Sequence, residues 1–311
     1  MPVNVALIGL GHMGRIHLGK LCSFEDVRVC GVVDVDDSLA GEYAGKYTVP
    51  SFSHYSDILP DAACAVIATP TQSHYAIAKA CLERGVHVFL EKPITVLPEE
   101  ARELVDMAAA RGLVLQVGHL ERLNPALRQA LPLVRRPRFI EARRISPFTG
   151  RSTDVDVVLD LMIHDIDLVL SLVGEEVADV RAQGVPFFTS LTDFASARID
   201  FVGGCVANIT ASRISTFRER SLSIYEEDRY LSVDLMQGKL TSIIRKEGEG
   251  SDTTEYTAAQ MDPVRDELLE FVRAVGGNST PSVSGTDGLR ALELASRVQD
   301  CIAGGQGTGH R

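Results

Sequence analysis

Six residues near the start of the chain, Gly9-Leu10-Gly11-His12-Met13-Gly14, place three glycines in a G-x-G-x-x-G between an apolar run and a helical pattern. Val3–Ile8 reads as a buried strand and Gly14–Cys22 as a helix, so the glycines fall at a strand-to-helix turn. Asp34 follows Gly14 by 20 residues, at the end of a second apolar run, 27–33. Each glycine then has a physical reason: a tight turn, backbone access to a pyrophosphate, and close helix–strand contact. The helix start offers free N–H groups to phosphate. Asp34 can accept from the ribose hydroxyls. Its neighbours Val35, Asp36 and Asp37 include no Arg for a 2′-phosphate, which favours NAD over NADP.

The same rhythm continues to residue 118. Strands are expected at 65–68, 86–90 and 113–117, and helices at 38–47, 74–84 and 98–111, the last opened by Pro98-Glu99-Glu100. Apolar strands separated by helices predict a doubly wound parallel sheet covered on both faces. Beyond about residue 137 the period changes to two: 194–201 and 205–213 alternate around Gly203-Gly204, with further strands at 221–225, 230–235 and 240–244. The fold class expected is therefore an α/β Rossmann domain over 1–120, followed by an α+β domain with a large, mostly antiparallel open sheet over 121–311. Helices are expected at 263–275 and 288–302, the last of them packing back on the first domain.

Composition narrows the function classes. With 311 residues, 45% hydrophobic, the chain is long enough for two cored domains. A net charge of −11 argues against phosphate-backbone binding, so no nucleic-acid partner is expected. No apolar run reaches 18 residues, and Met1-Pro2-Val3-Asn4 shows no basic leader, so a cytoplasmic protein without a membrane partner is expected. The six cysteines show no C-x-x-C or zinc spacing, read as reduced thiols, and no metal is expected.

Two features point to chemistry. Glu91-Lys92-Pro93 sets a lysine at the carboxyl end of a parallel strand, the edge where open α/β sheets bind ligands, although a lysine there can also be a plain surface charge. The apolar segment 159–173 carries Asp160, His164, Asp167 and Ser171 at helical spacing, with Asp165 off the stripe. That stripe either lines a cleft or is hydrogen-bonded within the fold.

Together, Gly9–Gly14, Asp34, Ala68-Thr69-Pro70 with His74, Glu91-Lys92-Pro93, and Asp160 with His164 resemble the Gfo/Idh/MocA family of dehydrogenases along essentially the whole chain. The resemblance implies NAD(P)-dependent oxidation or reduction of a sugar or polyol, and a cis Lys92-Pro93 bond as in many members. It makes Lys92, Asp160 and His164 the catalytic positions. An imidazole titrates near neutrality, which suits His164 as base, with Lys92 stabilising alkoxide charge and Asp160 fixing hydroxyls or orienting the pair. The cofactor contacts implied are Gly9, Gly11, His12, Met13, Gly14, Asp34, Thr69, Pro70, His74 and Glu91; His74 is alternatively an ordinary helix-start residue. His12 and His17 have packing or phosphate-proximal roles.

Six arginines lie within 135–151, and Arg213, Arg218 and Arg220 add three more. Such guanidinium density suggests an anionic substrate, or else a solvated helix end and outward strand residues. The stretches 117–125 and 152–167 look like the nucleotide-sugar branch of the family, in particular the UDP-N-acetylglucosamine 3-dehydrogenases, whose 3-keto product feeds an aminotransferase in lipid A synthesis. On that reading Arg144 and Arg151 contact the diphosphate, and Lys92, Asp160 and His164 the sugar. The alternatives are a neutral polyol or hexose dehydrogenase of the inositol type, and a cofactor-sensing regulator without catalysis. A homodimer or homotetramer is expected through the open sheet face.

Overall fold

The computed structural model describes residues 2–150, 155–246, 248–260, 262–277 and 279–306. The chain begins with alternating strands and helices: β1 (Val3–Ile8), α1 (His12–Leu21), β2 (Val27–Val33), α2 (Asp37–Tyr47), β3 (Ser51–Phe52), α3 (Tyr55–Ile58), β4 (Cys64–Ile67), α4 (His74–Glu83), β5 (His87–Leu90), α5 (Pro98–Arg111) and β6 (Leu115–Val117). The six strands pair in parallel in the order β3-β2-β1-β4-β5-β6. Strand order reverses between β1 and β4, and such switch points open a crevice at the carboxyl ends of the strands. The central strands are buried on both faces, with Val5, Leu7, Val66 and Phe89 wholly inside, which is why they read as unbroken apolar runs.

After α6 (Pro125–Ala130) the chain builds the second sheet from β7 (Phe139–Ile145). A π-helical turn (Val158–Met162) and α7 (Ile163–Val173) follow. Next come β8 (Val177–Val185), β9 (Phe194–Phe201), β10 (Val206–Ser212), β11 (Glu219–Tyr225), β12 (Arg229–Asp234), β13 (Lys239–Arg245) and β14 (Ser251–Thr257). The order is β14-β13-β12-β11-β7-β10-β9-β8. All pairs are antiparallel except β7 with β10. One face is apolar: Ile140 and Ala142 of β7 and Ala207 and Ile209 of β10 pack with Ile163, Ile166 and Leu170 of α7. This is the expected class, a parallel Rossmann sheet followed by a mostly antiparallel one.

The chain closes with α8 (Pro263–Val275) and α9 (Gly285–Gln306). It divides into two compact units, Met1–Leu120 with Asp262–Leu289, and Glu121–Met261 with Arg290–Arg311. This corrects the expected second domain of 121–311. Leu268 and Phe271 of α8 join the first unit's core, and Gly285 and Gly288 of α9 lie directly on Leu115 and Val117. The rest of α9 (Ala291, Leu294, Ala295, Val298) belongs to the second unit's core, so the last helix is not simply a cover of the first domain.

Candidate active site

In the first unit, the carboxyl ends of β1, β2 and β4 surround a cleft of about 670 Å³, lined by Gly9, Gly11, Asp34, Thr69 and Pro70 among others. Local stereochemistry builds its floor. Gly9 has φ +96°, and a Cβ there would stand 2.5 Å from the Ala68 carbonyl oxygen. A Cβ on Gly14 would stand 1.9 Å from the Gly9 oxygen, so the loop closes on itself only with glycine at both ends. Gly11 faces open space and starts α1 without a side-chain cap, leaving the first amides of the helix directed to the cleft. Asp34 Oδ2 accepts from the Leu10 amide at 2.6 Å and Oδ1 from the Asp36 amide at 3.0 Å, which locks the carboxylate between the glycine loop and the end of β2. Each oxygen keeps a lone pair for a ribose hydroxyl. His12 lies exposed at the helix start, and Met13 is half-buried behind it. Uncapped amides, an open Gly11 and a strand-end carboxylate fit a dinucleotide.

The strand-end residues divide into those that line the cleft and those that brace it. Thr69 and Pro70 line it, with Ser73 Oγ donating to Thr69 Oγ1 at 2.8 Å. His74 does not. It is 1% exposed, with Nδ1 2.9 Å from the Pro93 oxygen and Nε2 2.9 Å from the Thr69 oxygen. Burial lowers its pKa despite those carbonyls, so the ring is a neutral strut between the Thr69 and Pro93 loops. Glu91 also turns inward: Oε1 is 2.7 Å from His17 Nε2, and Oε2 accepts from the Lys92 amide at 3.3 Å. These placements correct the cofactor contacts expected of His74 and Glu91. Lys92 is half-buried at the end of β5, and the Lys92-Pro93 bond is cis, as the resemblance implied.

In the second unit, Asp156 starts the helical segment by accepting from the Val158 and Leu159 amides, both at 3.0 Å. Asp160 lies in the π-helical turn and His164 in the first turn of α7, both half-buried. Such turns recur at functional sites because the extra residue re-aims side chains. The stripe expected through Asp167 breaks here, since Asp167 is buried and paired with Arg122 through two bonds of 2.7 Å. Arg144, expected at a diphosphate, is 3% exposed. Its Nε and NH2 bond Asp165 at 3.0 and 2.9 Å, and NH1 bonds Glu121 at 2.7 Å. Each guanidinium nitrogen of this buried side chain bonds one of two buried carboxylates, so the structure shows Arg144 as an internal ion-pair partner where a diphosphate contact was expected. Arg213 is likewise committed, to Asp193 Oδ1 at 2.7 Å and the Val155 carbonyl at 2.9 Å. The other expected contact, Arg151, lies outside the described residues.

Sequence reasoning missed three contributors. Ser53, His54 and Tyr55 line the cleft from the segment after β3, a strand of two residues that leaves no periodic signal. Arg220 was noticed only as a charge. Paired in register with Arg144, it lies on the same sheet face as Leu222 and Ile224, with its side chain 49% exposed and NH1 3.2 Å from Glu121 Oε1. Strand parity with Leu222 and Ile224 could have placed it on that face.

A parallel sheet with a phosphate loop, an acid closing β2 and a lysine ending β5 defines a nicotinamide-dinucleotide oxidoreductase. Residues 3–119 match the oxidoreductase family with an NAD-binding Rossmann fold, and residues 135–232 match the Gfo/Idh/MocA C-terminal domain. The chain is 37% identical over 308 residues to the UDP-N-acetylglucosamine 3-dehydrogenase of Acidithiobacillus ferrooxidans, covering 96% of this chain and 97% of that one. A solved structure of that enzyme superposes with a TM-score of 0.92 at 35% identity, over 98% of this chain and 99% of that chain. The inositol 2-dehydrogenase of Rhizobium meliloti is 26% identical over 97% of this chain and 98% of its own length. The chain belongs to the Gfo/Idh/MocA family of NAD-binding oxidoreductases.

Proposed function

We propose that this oxidoreductase is an NAD-dependent dehydrogenase of a nucleotide sugar, oxidising the 3-hydroxyl of UDP-N-acetylglucosamine to a ketone. The observation that carries this reading is the likeness along nearly the whole chain to a dehydrogenase of that substrate, joined to the presence of Lys92, Asp160 and His164. Bound NAD supplies the acceptor for the hydride leaving the carbinol carbon. Gly9, Gly11 and Gly14 with the first amides of α1 hold its pyrophosphate, and Asp34 its ribose. His164 accepts the hydroxyl proton, and Lys92 donates a hydrogen bond to the same oxygen as negative charge develops on it. Asp160 orients the neighbouring hydroxyls.

In this reading the diphosphate contact passes from Arg144 to Arg220, whose half-exposed guanidinium donates to Glu121 Oε1 at 3.2 Å. Arg151 remains a second candidate contact from its place in sequence. The outward face of the eight-stranded sheet pairs with its copy in a homodimer or homotetramer, in the cytoplasm, and the keto product suits an aminotransferase such as the one in lipid A synthesis.

NADH formation followed by absorbance, with UDP-N-acetylglucosamine, UDP-glucose, N-acetylglucosamine, glucose and myo-inositol, tests the reading. Turnover confined to the UDP-sugars, abolished in Lys92→Ala and His164→Ala and with a raised KM in Arg220→Ala, is expected. Turnover with myo-inositol alone would replace the substrate, and NADH binding without turnover by any panel member would favour a sensor.

A further inference from the structure

Helix α1 starts at the glycine loop and carries His17 inward. The side chain is fully buried, with its ring edge-on to Phe89 of β5 at a centroid distance of 5.5 Å. Its Nε2 lies 2.7 Å from Glu91 Oε1, while Glu91 Oε2 accepts from the backbone amide of Lys92. Gly118 leaves the room for this carboxylate, since a Cβ there would stand 3.0 Å from Oε2. A second acid, Glu267 of α8, is buried in the same unit. Burial, together with the charges of Glu91 and Glu270, pushes Glu267 well above the usual carboxylate range. Burial also acts to raise Glu91, but the His17 contact and the Lys92 charge and amide outweigh it and hold its pKa low. The negative charge therefore resides on Glu91 and the proton on Glu267.

We propose that His17 is a positioning residue for Lys92: it holds the Glu91 carboxylate, which holds the Lys92 amide, so the helix that opens at the dinucleotide loop also sets the strand end carrying the lysine. This rests on the dehydrogenase reading for Lys92. The imidazole is fully buried, so its effect on the chemistry is indirect, and its polar link to Lys92 runs through Glu91. Without the imidazole the buried carboxylate loses its principal partner, takes up a proton, and no longer draws the Lys92 amide inward.

The test compares His17→Leu, His17→Gln and Glu91→Gln with wild type. It uses NADH binding by fluorescence, steady-state kinetics with NAD and UDP-N-acetylglucosamine, and hydrogen–deuterium exchange of the segment 89–95. In His17→Leu, kcat is expected to fall by up to about 100-fold while the Kd for NADH stays within about threefold, because a displaced lysine affects chemistry more than dinucleotide binding. The Lys92 amide should exchange faster. His17→Gln, whose amide can donate to Glu91, should recover much of both properties. Glu91→Gln should lose kcat like His17→Leu, and it serves if the leucine variant fails to fold. An unchanged kcat and an unchanged exchange pattern in His17→Leu would overturn the proposal, as would equal losses in the leucine and glutamine variants. If wild type turns over no sugar of the panel, the dehydrogenase reading fails, and the exchange comparison still decides whether His17 sets Lys92.

Discussion

Arg144 meets Asp165 through two parallel hydrogen bonds, Nε to Oδ2 at 3.0 Å and NH2 to Oδ1 at 2.9 Å, and Asp165 is the residue next to His164. The pair ties α7 to β7 at the helical turn that carries the proposed base. Glu121 completes a buried triad from the other side of the guanidinium. Two carboxylates around one Arg leave a formal charge of −1, which Arg220 offsets from the start of β11.

Replacing Arg144 leaves Asp165 and Glu121 buried without their cation. Arg144→Met is expected to destabilise the protein by about 3–5 kcal/mol, the usual cost of removing one partner of a buried ion pair. Urea unfolding measures this directly. The variant should also lose kcat more than it raises the KM for the UDP-sugar; a raised KM alone would restore the diphosphate role.

The glycines of the phosphate loop separate folding from binding. Gly14→Ala drives a methyl against the Gly9 oxygen and is expected to cost about 1–3 kcal/mol through overpacking. Gly11→Ala meets no protein atom within 4 Å, and its stability should stay within about 0.5 kcal/mol of wild type. If the loop holds the pyrophosphate as proposed, its affinity for NADH should nonetheless drop by about tenfold or more, since the methyl would occupy the open side of the loop. Thermal melts beside fluorescence titrations distinguish the two, and parallel behaviour of both variants would contradict the geometry.

Glu267 sets a pH dependence. Its folded pKa is raised, by burial first and then by Glu91 and Glu270, so the folded state binds the proton more tightly than the unfolded state. Its contribution to stability is therefore full below the unfolded value of about 4.3 and is lost as pH rises through the folded pKa. Glu267→Gln cannot titrate and keeps the neutral shape. The variant should gain stability relative to wild type as pH rises above the unfolded value of about 4.3. A pH-independent difference in urea midpoint would place the charge elsewhere.

Much of the first unit was legible because its signals are local. Apolar runs bounded by turns place β1, β2 and β5, and the glycine spacing reproduces the loop of positive φ and close contact at Gly9 and Gly14. The second sheet was legible where one face is buried, as in β9 and β10. It was not legible in β8, an edge strand whose inward positions after Val180 are the small Ala182 and Gly184, or in β14, an edge strand exposed at nearly every position. The π-helical turn at Val158–Met162 was invisible for a related reason: one extra residue in a helical turn leaves residue types unchanged and shifts the stripe after it.

The sequence by itself determined the order of strands and helices in the first unit, the glycine loop with Asp34 at the end of β2, and the helical spacing of Asp160 and His164. Each depends on turn stereochemistry or periodicity over a few residues. Only the tertiary structure decided what the charges do. His17 and Glu91 are 74 residues apart, Arg144 and Asp165 are 21, and Arg213 and Asp193 are 20. Whether such groups meet depends on strand register and helix packing, and the cost of burying a charge alone then forces each into a pair. That energetic requirement pairs Arg144 with Asp165 and Glu121, and Glu91 with His17, inside the fold rather than leaving them open to a ligand.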